Sequence, residues 1–171
     1  MKMFRIGCMA AFTAVLVNPL CAAPLPGGAE SLVETYQDWV VACRAQEKTS
    51  TWVMRQVQRN NQTGKQVFTV EFAPNGSGLD GALLMPFGLA LDGGVTLKID
   101  ETDAPGLSFA TCLPAGCLAP VSFDEKLITR LKAGTALNAS ARPFNTLQAA
   151  QFRISLKGFT TALNRITELT R

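Results

Sequence analysis

Two cysteines stand close together in the stretch SFATCLPAGCLAP, residues 108–120, where Cys112 and Cys117 flank a short segment containing Pro and Gly. Cysteine pairs can bind a metal, exchange disulfides or link two strands covalently. A zinc site needs further ligands, and the sequence contains no histidine and only five cysteines. Redox centres favour a C-x-x-C motif at a helix N-terminus, whereas four residues separate these thiols. The pattern favours a structural link, and it predicts no metal and no cofactor.

A hairpin around residues 113–116 would place Cys112 opposite Cys117. Facing residues of an antiparallel pair have Cα atoms ~4.5–5.5 Å apart, within the ~4.4–6.8 Å that a disulfide accepts. Cys43 shares its predicted strand face with Trp39 and Val41, which is typical of a buried, inert thiol. A bond from Cys43 to either hairpin cysteine, or to another chain, is the alternative.

The absence of histidine also limits the chemistry available to the chain. It excludes Ser-His-Asp and Cys-His catalysis and histidine-containing zinc sites. No other constellation points to a nucleophile or a general base, so we expect a non-enzymatic protein with no catalytic residues.

The N-terminal segment has the features of a secretory signal peptide. Lys2 and Arg5 precede an apolar run at 6–17, and small residues follow it. This run is shorter than the ~20 residues that span a membrane. We therefore expect residues 1–23 to be removed, with a cut as late as Ala29 or a retained anchor as alternatives, and no integral membrane span afterwards.

The mature chain is expected to form one domain. Residues 24–34 read as a flexible leader, and 35–171 are long enough for a single core. Without the signal, 14 basic residues face 13 acidic ones, so the net charge is near +1. The basic residues are scattered, which indicates neither nucleic acid nor an anionic membrane as a partner.

Apolar residues recur with a period of two along most of the mature chain, which predicts half-buried strands. Val53 and Val57 alternate with Met54 and Gln56 in one such run. Further runs are centred on residues 68–72, 95–99 and 152–156, with a weaker one at 135–142. Turn sequences separate them. Many short antiparallel strands favour an all-β sandwich, with a closed barrel as the alternative.

Two short helices are expected within this sandwich. Ser122 and Glu125 fit a capping box that begins a helix at about 123–132. Apolar residues at helical spacing predict a second amphipathic helix at about 159–169, packed on the sandwich or docking a partner.

Two other stretches allow a functional interpretation. LLMPFGLAL contains Met85, Pro86 and Phe87, which fit either a core edge with a bend or an exposed apolar patch for a partner. KIDETDAPG concentrates Asp100, Glu101 and other carboxylates, which fit a solvated turn better than a calcium site or an acid–base pair.

Four stretches, in the same order along the chain, resemble the invasion-associated locus B (IalB) family. They are DWVVAC (38–43), LLMPFGLALDGGVTLKID (83–100), FATCLPAGCLAP (109–120) and ISLKGFTTALNRI (154–166). The resemblance implies an immunoglobulin-like β-sandwich in a small exported protein of a Gram-negative bacterium, largely of the alphaproteobacteria. The founding member of the family is linked to invasion of red blood cells, and no catalytic residues are established for the family.

The resemblance also bears on the cysteines. Cys112 and Cys117 match the second cysteine pair of the family, which favours a bond between them. Family members often carry a cysteine on the strand after Cys43, where this chain has Trp52 and Val53. The resemblance therefore implies that Cys43 is an unpaired thiol.

Together these observations predict an exported, non-enzymatic protein that acts by protein–protein contact. The site of action would be the periplasm or the cell surface, with host-cell invasion as the role implied by the resemblance. The partner and the oligomeric state do not follow from the sequence. An envelope accessory or structural factor without a host role is the alternative, and a periplasmic thiol-exchange protein is a weaker one.

Overall fold

The strands form two antiparallel sheets in the computed structural model, which describes residues 32–45 and 50–170. The larger sheet has seven strands in the order β1-β2-β3-β4-β5-β9-β8, and the smaller has four in the order β11-β10-β6-β7. The strands are β1 Val33–Tyr36, β2 Trp39–Ala45, β3 Ser50–Arg59, β4 Gln66–Asn75, β5 Gly78–Met85, β6 Val95–Ile99, β7 Thr102–Leu107, β8 Thr111–Leu113, β9 Gly116–Phe123, β10 Ala136–Ala141 and β11 Ala150–Ser155. The helices are α1 Glu125–Ala133 and α2 Phe159–Leu169. The predicted all-β sandwich with two short helices is confirmed.

An aromatic cluster fills the centre of the core. The ring of Trp39 lies 5.8 Å from that of Phe72 and 5.4 Å from that of Phe159 on α2, between ring centroids. Phe72 in turn contacts Phe123 at 5.6 Å. Each of these side chains is at most 1% exposed. Apolar burial of this kind is the main stabilising contribution to the fold.

Side chains join the free edge of β11 to the larger sheet. Gln56 donates from Nε2 to the carbonyl oxygen of Ser155 and accepts the Ser155 amide with Oε1. Trp39 Nε1 donates to the same carbonyl oxygen at 2.9 Å, and Gln58 donates to that of Arg153. The side-chain amide of Gln56 thus replaces the neighbouring strand that β11 lacks, which satisfies its backbone.

Helix α1 begins later than the capping-box pattern predicts. Its N-cap is Asp124, whose Oδ1 accepts from the Leu127 amide at 2.8 Å. Ser122 lies in β9 and donates its hydroxyl to Asp80 Oδ1 at 2.7 Å instead. The helix predicted at about 123–132 is present, but the predicted Ser122 cap is wrong, because Phe123 stays in the strand to fill the core.

Helix α2 has the predicted bounds and packs its apolar face on the sandwich. Phe159, Ala162 and Ile166 are fully buried. The helix follows Gly158, which has φ +81° and lies against the backbone carbonyl of Tyr36. Only glycine fits there, because a Cβ would collide with that carbonyl.

Strand β1 is tied to α2 by an ion pair. Arg165 donates from Nε and Nη2 to the two carboxylate oxygens of Glu34, at 2.7 and 2.9 Å, and Tyr36 donates its hydroxyl to the same carboxylate. The hydrogen bonds from Arg165 hold the pKa of Glu34 below its ordinary value. Because β1 begins at Val33, the last two residues of the predicted leader 24–34 belong to the sheet.

Candidate functional site

A covalently closed hairpin stands at one edge of the seven-stranded sheet. β8 and β9 pair with Cys112 opposite Cys117 and Leu113 opposite Gly116, so that only Pro114 and Ala115 form the turn. The structure contains the Cys112–Cys117 disulfide, with Cα atoms 3.9 Å apart. The turn is shorter than the four-residue loop considered from the sequence, and residues 111–115 are all exposed.

The hairpin is seated against the end of β5. Gly116 has φ +143° and lies close to the carbonyl oxygen of Met85, which leaves no room for a Cβ. The side chain of Leu84 approaches the same position. The glycine thus lets the chain turn back tightly onto the sheet, and it sets the direction in which Leu113 and Ala115 project.

An apolar groove lies beside this hairpin on the outer face of the sheet. It has a volume of about 310 Å³, within the ~300–1,000 Å³ range of binding clefts. Its lining combines the hairpin tip with outward side chains of β4, β5 and β9: Thr69, Glu71, Ala82, Leu84, Leu113, Ala115 and Leu118. The oxygen Oγ1 of Thr69 is buried in this wall with no hydrogen-bond partner among the described residues.

The sequence pattern alone does not predict this groove. Outward positions of β5 and β9, such as Leu84 and Leu118, are apolar where an exposed sheet face is ordinarily polar. Apolar residues at these outward positions, where a polar residue is expected, are the sequence signal that could have identified Leu84 and Leu118 as groove residues. Their neighbours in β4 were not recognisable, because the register that aligns Thr69 with Leu84 is a property of the fold.

Cys43 departs from the expectation of an unpaired thiol. The structure records it as disulfide-bonded. Its register partner on β3 is Trp52, so the bond is not made to the neighbouring strand, where other family members often carry a cysteine. Cys43 is only partly buried, at the margin of the core.

In the KIDETDAPG stretch, the carboxylate of Asp100 binds the backbone at the start of β10. Asp100 accepts from the Thr135 amide, the Thr135 hydroxyl and the Ala136 amide. These bonds, led by the Thr135 hydroxyl, lower the pKa of Asp100. Over residues 32–45 and 50–170, no three His, Cys, Asp or Glu side chains are grouped in a way that could hold a metal.

The LLMPFGLAL stretch divides between the two interpretations. Leu83, Met85 and Leu89 are buried, whereas Phe87 is 61% exposed. The stretch is therefore a core strand that ends in a bend carrying one exposed aromatic ring. In the described part of the chain, no helix combines the length and the apolar character needed to cross a bilayer.

Comparison with known proteins places the chain in a family. The sequence matches the family described as "Invasion associated locus B (IalB) protein" over residues 39–167. The chain belongs to the IalB family. The match covers all of the sandwich except β1, together with most of helix α2.

Relatives in the IalB family resemble the chain over most of its length. The Invasion protein B homolog of Brucella abortus (strain 2308) is 52% identical over 173 residues, which cover 100% of both chains. Invasion protein B of Bartonella bacilliformis is 34% identical over 152 residues, covering 86% of this chain and 81% of the relative. The crystal structure of invasion associated protein B from Bartonella henselae superposes with a TM-score of 0.73 at 31% identity, covering 82% of this chain and 97% of the other.

Proposed function

We propose that this IalB-family protein is exported and acts without catalysis, by binding another protein in the periplasm or at the cell surface. Lys2, Arg5 and the apolar run at 6–17 support export. The names of the relatives, invasion protein B, support a part in host-cell interaction.

The observation that carries the proposal is the apolar groove beside an open sheet edge. β8 pairs only with β9, and its three residues are exposed. The edges of the smaller sheet are less accessible, because Arg130 donates to the backbone carbonyls of Thr102 and Asp103 on β7, and Gln56 pairs with β11.

The occupant that fits this arrangement is an extended segment of a partner protein. Such a segment can add a strand to β8 through backbone hydrogen bonds and place an apolar side chain in the groove. The uncharged side chains of Leu84, Ala115 and Leu118 suit a side chain of this kind. The disulfide holds β8 against β9, so the hairpin is already ordered before a partner binds. This lowers the entropic cost of binding.

A photo-crosslinking amino acid at position 113 tests this proposal in intact cells. We expect it to capture one defined protein, whereas the same group at Val33, which is also exposed but lies at the β1 edge, should not. An Ala115→Glu variant should abolish capture, because it places a second carboxylate, in addition to Glu71, among the apolar groove residues without altering the core. Equal capture from both positions, or capture that survives Ala115→Glu, would contradict the proposal.

The host-cell role needs a separate experiment. A deletion strain complemented with either the wild-type or the Ala115→Glu protein should differ in host-cell invasion. If the variant restores invasion fully while losing the crosslinked partner, the partner serves the envelope and not the host interaction.

A further inference from the structure

Large exposed hydrophobic side chains collect at one end of the sandwich. Among the described residues seven are exposed, and only Val33 lies elsewhere, at the β1 edge. The other six, named here the apolar tips, are Val67, Phe87, Leu91, Leu113, Phe144 and Leu147.

Strand register places the apolar tips at the same end. Thr69 pairs with Leu84, which brings the start of β4 beside the end of β5. Met85 pairs with Cys117, which brings the disulfide hairpin to that end as well. A bridge between Leu89 and Pro143 adds the loop that connects β10 to β11.

Backbone hydrogen bonds hold the two most exposed loops together. Phe144 donates its amide to the Gly88 carbonyl at 2.8 Å, and Ala90 donates to the Arg142 carbonyl at 2.8 Å. Each loop carries a phenylalanine, and the exposed fractions are 61% for Phe87 and 79% for Phe144. The aromatic rings are therefore presented to solvent by a fixed backbone.

The charges around the apolar tips are mostly positive. The segments 59–67, 86–94, 108–118 and 142–149 contain Arg59, Lys65 and Arg142 but one acid, Asp92, which lies 3.7 Å from Arg142. Arg59 and Lys65 make no ion pair within the described chain. The other end carries charges of both signs. Its carboxylates Asp100, Glu101, Asp103, Asp124 and Glu125 lie around the β6–β7 turn and at the start of α1, and Lys126, Arg130 and Lys132 lie on α1 beside them.

We propose that the apolar tips dock this protein on an anionic lipid surface. Arg59 and Lys65 meet the phosphate-bearing headgroups while Phe87, Phe144 and Leu147 insert among them. Leu147 is 92% exposed, so it projects from its loop and is not part of a flat patch. Separate projecting side chains fit a deformable headgroup layer, whereas a protein interface requires a continuous, closely packed patch. This proposal goes beyond the groove contact and does not require it.

Vesicle co-sedimentation of the mature chain tests the proposal. The probe is phosphatidylcholine vesicles containing about one third phosphatidylglycerol, with pure phosphatidylcholine vesicles as the neutral comparison. We expect binding to the anionic vesicles, little binding to the neutral ones, and weaker binding as added salt screens the charges.

Matched variants separate insertion from general charge attraction. Phe144→Ser with Leu147→Ser should weaken binding at least about tenfold, because the apolar area leaves the interface. Val33→Ser removes an equally apolar exposed side chain elsewhere and should bind as the wild type does.

The cationic contribution has its own matched pair. Arg59→Gln with Lys65→Gln should weaken binding about fivefold for each charge removed. Lys126→Gln with Lys132→Gln changes the net charge equally on exposed positions of α1 and should leave binding unchanged.

Three results would overturn the proposal. The first is no binding of the wild type to anionic vesicles at low salt. The second is an equal loss of binding in the Arg59/Lys65 and Lys126/Lys132 double variants, and the third is unchanged binding of the Phe144/Leu147 double variant. Thermal unfolding of every variant distinguishes these results from misfolding. If the tip variant instead loses a crosslinked protein but keeps vesicle binding, the tips contact protein and the lipid proposal is wrong. Loss of crosslinking at position 113 alone would affect only the groove proposal.

Discussion

Replacing Gln56 with leucine tests how the two sheets are joined. The Gln56 side chain is 9% exposed and makes two hydrogen bonds to the backbone of Ser155, at 3.0 Å to its carbonyl oxygen and 3.2 Å from its amide. Leucine has a similar volume, so Gln56→Leu keeps the packing and removes both bonds. The change isolates the polar contact between β3 and β11.

The expected loss of stability follows from those two bonds. Each typical hydrogen bond contributes about 0.5–1.5 kcal/mol, and a buried donor left unsatisfied costs about 1–3 kcal/mol. The Ser155 carbonyl keeps the bond from Trp39, so only the Ser155 amide loses its partner. We expect Gln56→Leu to lower the free energy of unfolding by about 2–3 kcal/mol.

Urea unfolding followed by tryptophan fluorescence measures this loss. Gln58→Leu is the matched control, because Gln58 also donates to a β11 carbonyl but does so in an exposed position. Its effect should be less than about 1 kcal/mol. Equal losses for the two variants, or a change of less than about 0.5 kcal/mol for Gln56→Leu, would refute the view that this amide replaces a neighbouring strand.

Three further predictions concern the disulfide hairpin, the ion pair between Glu34 on β1 and Arg165 on α2, and the Asp124 cap of α1. Cys112→Ser with Cys117→Ser should lower the free energy of unfolding by about 2 kcal/mol in urea, since the bond closes only a short loop; no measurable loss would contradict this. Because Arg165 lowers the pKa of Glu34, the stability from this carboxylate is present above its unfolded pKa of about 4.3 and is lost as pH falls through the lower folded pKa. Glu34→Gln should therefore flatten the decline of Tm on acidification. An unchanged decline would argue that the Glu34–Arg165 ion pair does not stabilise the fold. Asp124→Ala should destabilise the protein by about 1 kcal/mol in the same urea assay, whereas no effect would argue that the cap is not needed.

The sequence predicts strands well where apolar and polar residues alternate, but it does not always predict which face is buried. The alternation of Val53 and Val57 with Met54 and Gln56 indicates β3 correctly. Met54 and Gln56 point into the sandwich, because Met54 pairs with Phe72 and Gln56 reaches Ser155. A glutamine is accommodated inside only because β11 offers unpaired backbone groups, and a single strand carries no sign of them.

Element boundaries depend on contacts that are distant in sequence. Ser122 and Asp124 are both suitable N-caps, and burial of Phe123 in β9 decides for Asp124. The sequence DAPG has the composition of a turn, yet Thr102–Leu107 is strand β7. Pro105 is tolerated there because β7 is an edge strand and does not need every amide.

The groove and the apolar tips could not be predicted, because each is assembled from segments far apart in the chain. The loops that carry Phe87 and Phe144 are joined by the bridge between Leu89 and Pro143. The sequence shows each phenylalanine only as one apolar residue beside a proline. Their joint exposure is a consequence of topology.

The position of the disulfide connects these features. β8 has only three residues, so few backbone hydrogen bonds hold it to β9. A strand of that length would separate readily from the sheet, whereas a covalent bond at its middle residue keeps it in register while its outer edge stays open. In the smaller sheet, Arg130 of α1 bonds the backbone of edge strand β7, and Gln56 bonds that of edge strand β11. Nothing in the described chain pairs with the outer edge of β8. The link between Cys112 and Cys117 is therefore placed where it keeps a short edge strand ordered and available to a partner.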